Sequence, residues 1–182
     1  MLGGVAIGML LAATGSGVTA VDAAASNFEF SAPRKMGSPI RGVFGRADGR
    51  LQARADGQRK VKLVLNADSI KVSGNPWYSK VARGPLMFNA KEFPAVEFNS
   101  DWHSPAILRS GGNVTGTVTL LGVTRRETFA VMPSKCERPG VDCPIIASGR
   151  ISRERYGMRG LSAVLRGDVE LSMSVRFDAP EI

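Results

Sequence analysis

The 182-residue sequence predicts an all-β protein, an antiparallel barrel of about eight strands interrupted by two short helical pieces. Three observations predict it. Leu165, Gly167, Val169, Leu171, Met173, Val175 and Phe177 alternate with Arg166, Asp168, Glu170, Ser172, Ser174 and Arg176, and a period of two gives a strand one wet and one dry face. Similar alternation recurs between turn signals along the chain, without repeats or low-complexity tracts. Hydrophobic residues make up 43% of the chain, enough to close the core of a single domain. The interior of such a barrel is either just filled by side chains or holds one small ligand.

Residues 1–20 are expected to be an export signal, followed by one domain over residues 21–178. The apolar run Val5 to Ala13 falls short of the ~20 residues that span a bilayer, and Val18-Thr19-Ala20 offers the small residues of a signal-peptidase site. Met1-Leu2-Gly3-Gly4 lacks the Lys or Arg with which such a signal usually opens. Ser26 to Phe30 alternates as a first strand. Pro39 to Ala47 is a second, turning at Asp48-Gly49 into Arg50 to Arg54. After Asp56-Gly57, Arg59 to Asn66 sets Val61, Leu63 and Leu65 against Lys60, Lys62 and Asn66. The pattern breaks at Asn75, an N-cap for a short helix with Pro76 at its first position and Gly84-Pro85 at its stop. A second single turn is expected at Ala90 to Phe93, ended by Pro94. Between them Leu86-Met87-Phe88 is apolar on a connection, where water-facing residues are the rule. Such a patch must fold onto something.

Strands resume at Ala95 to Asp101. Gly111-Gly112-Asn113 turns into a strand with Val114, Gly116, Val118 and Leu120 on one face, and Leu121 to Thr124 connects it to a return strand, Arg126 to Met132. Ile145 to Arg153 follows, then a loop with Tyr156-Gly157-Met158, then the final strand. On the wet face of that strand Asp168 and Glu170 are expected to pair with Arg166 and Arg176. Cys136 and Cys143 flank a Pro139-Gly140 turn, and in an oxidising compartment they are expected to form a disulfide.

The net charge of +8 and pI of about 10.1 first suggest nucleic acid. The cations, however, are scattered from Arg34 to Arg176 without a dense run, and an exported protein rarely meets nucleic acid. An anionic membrane surface or acidic head group suits export better, and a solvated basic surface without a partner is the bland alternative. No catalytic pattern is present: the chain has no G-x-x-x-x-G-K-[ST], no strand-coupled G-x-G-x-x-G and no G-x-S-x-G. The one histidine, His103, follows Asp101-Trp102 beside a loop proline and reads as an ordinary surface residue. Two Cys and one distant His cannot supply the four ligands of a structural zinc, so no metal is expected. A hydrocarbon-binding site needs none of these groups and shows only as surplus inward apolar side chains. The same side chains also make a solid core.

Four blocks of the chain resemble the exported YceI-like proteins, the lipid or polyisoprenoid-binding domain. Val21-Asp22 with Ser26 to Phe30 resembles the family's opening strand, and Gly42 to Gly45 with Asp48-Gly49 its first hairpin. Pro85 to Pro94 with Phe98-Asn99-Ser100 is similar to its paired-aromatic turn and following strand. The most specific block joins Val114 to Arg125 with Ile151-Ser152-Arg153, Tyr156-Gly157-Met158 and the final strand. Ala25, Leu86, Met87 and Arg155 depart from the family pattern, which bears on ligand identity and head-group contacts rather than on fold.

The resemblance implies an eight-stranded, lipocalin-like antiparallel barrel in the periplasm, with a helix over one end and a hydrophobic tunnel. It implies a non-enzymatic carrier of a polyisoprenoid, such as an isoprenoid quinone tail, with no required cofactor. The lining expected from the first half is Phe28, Phe30, Val43, Leu63, Trp77 and Met87. From the second half it is Phe88, Phe98, Val118, Leu120, Phe129 and Leu171. Expected partners are an isoprenoid or fatty amphiphile and an anionic membrane surface, with a homodimer left open and nucleic acid excluded. The alternative is an exported stress-related or interaction protein with a filled barrel and a basic, membrane-associating exterior.

Overall fold

The computed structural model describes residues 17–178. Most of the expected export signal, residues 1–16, therefore lies outside the described residues. Eleven strands form one antiparallel, curled sheet. In chain order they are β1 (Val18–Ala20), β2 (Asn27–Ala32), β3 (Ile40–Phe44), β4 (Ala47–Ala53), β5 (Arg59–Asn66), β6 (Ile70–Val72), β7 (Ala95–Ser100), β8 (Gly112–Leu120), β9 (Val123–Val131), β10 (Ile145–Ser152) and β11 (Asp168–Val175). Two helices interrupt them, α1 (Pro76–Arg83) and α2 (Ile107–Ser110). The spatial order is β1-β4-β5-β7-β8-β9-β10-β11-β2-β3-β6. At the β1 edge the chain turns back onto the end of β11, where Asp22 N–H donates to the Arg176 carbonyl (2.9 Å) and Asp178 N–H to the Ala20 carbonyl (3.0 Å).

Alternation decides which face is buried. Phe28, Phe30 and Ala32 of β2, Val114, Val118 and Leu120 of β8, and Val169, Met173 and Val175 of β11 point inward and are buried, while their neighbours face water. Glycine on this inner face makes room for a neighbour's ring. A Cβ at Gly42 would lie 2.4 Å from Cζ of Phe30, and one at Gly149 2.6 Å from Cδ1 of Phe129. Small and large side chains thus alternate across strands, as a curled sheet with a narrow interior requires.

The sheet holds eleven strands where the periodicity suggests about eight, for physical reasons. Strands β1 and β6 have three residues each, too short to show a period. The expected Asp48-Gly49 hairpin is also absent: the chain breaks two residues earlier, at Gly45-Arg46, and both residues lie inside β4. Gly49 serves packing there, since a Cβ would meet Leu63 and Val21 at 2.8 Å.

Helix α1 forms as its signals dictate, with the Asn75 side chain accepting from Trp77 N–H (2.8 Å) and Gly84 ending it. Ala90 to Phe93 makes a hydrogen-bonded turn rather than a helix, organised by Asn89, whose carbonyl accepts from the N–H groups of Glu92 (3.0 Å) and Phe93 (2.9 Å). Helix α2 had no counterpart in the pattern, because four residues hold too little of a 3.6-residue period. On the outer face Glu170 pairs with Arg150 of β10 rather than with Arg166 or Arg176. Those two arginines donate instead to backbone carbonyls, of Arg34 (3.3 Å) and Val141 (2.7 Å).

Candidate functional site

Four spaces follow one another through the curl of the sheet. At the α1 end a groove of about 570 Å³ is walled by Ile40, Val72, Trp77, Tyr78, Val81 and Val164. Phe30, Ala32 and Met87 separate it from an interior void of about 30 Å³, also lined by Phe44, Leu65, Phe88, Leu120 and Leu171. A second void, of about 80 Å³, is lined by Leu63, Phe98, Val114, Val131, Met173 and Val175. Leu51, Arg59, Leu108 and Phe177 divide it from a groove of about 450 Å³ at the other end, beside α2 and the loop joining Cys136 to Cys143. The expected disulfide is present there, with Cα atoms 6.2 Å apart.

Cross-strand register places Phe28, Val118 and Phe129 between the two voids. Phe28 lies opposite Met173, Val118 opposite Phe98, and Phe129 opposite Val114. All three are buried, and the Phe98 and Phe129 rings meet edge to face at 5.0 Å. Above this septum the rings of Phe30, Phe44 and Phe88 form a mutual cluster with centroids 5.5 to 5.9 Å apart.

Ten of the expected lining residues thus share the interior: Phe28, Phe30, Leu63, Met87, Phe88, Phe98, Val118, Leu120, Phe129 and Leu171. Two do not. Val43 faces outward between Glu29 and Lys71, because Gly42 and Phe44 take the inner positions of β3. Trp77 is 61% exposed on α1 and walls the outer groove, not the interior.

The residue missed from sequence is Arg153, which lines the smaller void with 2% exposure. Its Nη1 donates to the Arg166 carbonyl (3.1 Å) and its Nη2 to the Gly160 carbonyl and to Sδ of Met87 (3.6 Å). Its Nε has no partner among the described residues. Burial pushes the guanidinium below its ordinary pKa, against the opposing charge of Glu154. Arg153 thereby holds the loop of residues 157–166 over this end of the sheet. A signal for it existed: it continues the inward parity of Ala147, Gly149 and Ile151. Tyr156, fully buried beside it, donates its hydroxyl to Oε1 of Glu127 (2.9 Å), and burial followed by that carboxylate raises its pKa. Apart from Arg153, and from Arg59 and His103 at one side of the larger void, the side chains lining the two voids are apolar, an arrangement suited to sequestering hydrocarbon. His103 stays at the rim of the larger void, its Nδ1 within 3.1 Å of the Asp101 carbonyl.

The protein is thus a curled antiparallel sheet around a largely apolar axis with a groove at each end. The chain belongs to the YceI-like domain family, whose model matches residues 20–177. A UPF0312 protein of Staphylococcus aureus strain USA300 is 27% identical over 164 residues, which span 87% of this chain and 92% of that protein. Among solved structures, Burkholderia cenocepacia BcnA aligns with a TM-score of 0.69 at 21% identity, covering 85% of this chain and 98% of its own. A polyisoprenoid binding domain from Saccharophagus degradans aligns at 0.66 and 16%, covering 91% and 100%. The Campylobacter jejuni YceI protein aligns at 0.60 and 18%, covering 79% and 88%. At these identities the structures share the fold.

Proposed function

We propose that this protein binds and carries, without chemical turnover, a polyisoprenoid or similar amphiphile along the apolar axis of its sheet, in the periplasm after export. The observation that carries the reading is the alignment of two grooves and two voids, separated only by side chains. In this reading the wall is an eight-stranded lipocalin-like barrel, with β3 and β4 acting as one bent strand and β6 as a short flanking piece, while β1, which lies within the expected signal, leaves with it on export. Membership of the YceI-like family, and the polyisoprenoid-binding description of its Saccharophagus degradans neighbour, support the ligand class. The voids of about 30 and 80 Å³ are far below the ~300 to 1,000 Å³ of ordinary ligand pockets. Loading therefore needs the septum rings, or the loop of residues 157–166, to move aside.

The same small voids favour a second reading, in which the interior stays filled and the basic exterior does the binding. One experiment separates the two. Organic extraction of the natively purified protein followed by mass spectrometry is expected to return a prenyl lipid, and added prenyl quinone to raise the Tm. No extracted lipid together with an unchanged Tm removes the carrier reading.

A further inference from the structure

The outer groove at the α1 end differs from the rest of the surface in both charge and polarity. Its walls come from residues 32–41, 72–87 and 159–166. These segments make one surface: Lys35 N–H donates to the Val164 carbonyl (2.9 Å), and a Cβ at Gly160 would strike the Leu86 backbone. Together they contain seven Lys or Arg and no Asp or Glu. What sets these segments apart is the lack of any carboxylate: Arg34, Arg83 and Arg166 donate to backbone carbonyls, and none of the seven takes part in an ion pair among the described residues.

The same segments hold most of the exposed large apolar side chains. Met36 (87% exposed), Trp77, Tyr78, Leu86 and Val164 lie here, against Val18, Met132 and Ile146 elsewhere. Water-facing aromatics beside cations, with no carboxylate among them, match a surface that is apolar below and anionic above. A soluble acidic partner would account for the cations but leave the five apolar side chains in water.

We propose that this face docks on the anionic surface of a lipid bilayer, with the groove mouth against the membrane. Trp77 and Tyr78, their rings 5.9 Å apart at the start of α1, sit at head-group depth, where amphipathic rings are favoured. Lys35, Arg41, Lys80 and Arg159 lie among the lipid head groups. The proposal deepens the carrier reading, because a docked mouth lets an apolar chain enter the groove without crossing water.

The test is co-sedimentation of the ligand-free protein with phosphatidylcholine vesicles, with and without about one third phosphatidylglycerol, an anionic fraction that attracts basic faces. Wild type is expected to bind the anionic vesicles, and to bind less as salt rises. Lys35→Glu/Lys80→Glu is expected to weaken binding by about tenfold or more, from the loss of surface attraction. Arg50→Glu/Lys135→Glu, which changes net charge equally at exposed positions elsewhere, is expected to stay near wild type. Trp77→Ala is expected to lower the part of the binding that survives high salt. Absence of wild-type binding, or equal loss in both charge-reversed pairs, overturns the proposal. No ligand enters the measurement, so vesicle binding together with no extracted lipid and a Tm unchanged by prenyl quinone would remove the carrier reading and keep the docking face.

Discussion

Arg153 combines two properties rarely found together, a full charge and near-complete burial, and its bonds explain why it is tolerated. Two of its nitrogens satisfy carbonyls of the covering loop, so the charge is spread over backbone dipoles rather than met by a carboxylate. Arg153→Met keeps the length and removes these bonds. The expected cost is about 2 kcal/mol, or roughly 4 to 8 °C in Tm, with faster amide exchange confined mainly to residues 157–166. Unchanged exchange in that loop would mean that Arg153 does not hold it. Tyr156 makes a pH prediction. Its folded pKa is raised above the ordinary 10.0 by burial and by the Glu127 hydrogen bond. The hydroxyl therefore contributes stability that is complete below pH 10 and is lost as pH rises toward the higher folded value. Tyr156→Phe is expected to flatten the fall in Tm above pH 10, while costing about 1 kcal/mol at neutral pH.

At the scale of an element, the loop from Cys136 to Cys143 is tied down by its disulfide and by hydrogen bonds, among them those from the Arg109 guanidinium to the Cys136 and Glu137 carbonyls. The disulfide closes it, and Phe177 N–H donates to the Gly140 carbonyl (2.7 Å) while Arg176 reaches the Val141 carbonyl (2.7 Å). Cys136→Ser/Cys143→Ser removes only the disulfide. Loop-closure entropy over so few residues predicts a loss of about 2 kcal/mol, seen as a lower denaturation midpoint at unchanged m-value. Prenyl quinone binding should survive the change, because the loop borders the groove opposite α1. Loss of binding in a folded double variant would place the entry at this end instead.

For the whole molecule, the question is whether the axis is continuous. Phe129 belongs to the septum and packs edge to face on Phe98. Phe129→Leu should join the two voids at a cost of about 1 to 2 kcal/mol in the ligand-free protein. It should also enlarge the Tm gain from added prenyl quinone relative to wild type. An equal gain in both proteins would show that the ligand stops short of the septum.

Much of this was legible in the sequence, and the failures have identifiable causes. Alternation placed Phe28, Phe30, Leu63, Phe98, Val118, Leu120, Phe129 and Leu171 on one inner face, since side-chain direction along a strand is a local property. Val43 was misplaced because an inward glycine carries no hydropathy signal, so Gly42-Val43-Phe44 shows no parity by itself. Trp77 was misplaced because a two-turn helix does not state what it packs against. Arg153 sits on the inner parity with a charge that argues the other way, and only the carbonyls of a loop folded over it resolve the conflict. By itself, the sequence determined the strand-rich class, the inner face, the start of α1 and the short covalent loop, all consequences of neighbouring residues. The tertiary structure alone decided the count of strands, the pairing of inner glycines with opposite rings, the septum and the gathering of three carboxylate-free basic segments with exposed apolar side chains at one mouth. These depend on register between distant segments, as where Ser26 meets Arg176 across 150 residues of chain. No local period encodes a meeting at that range.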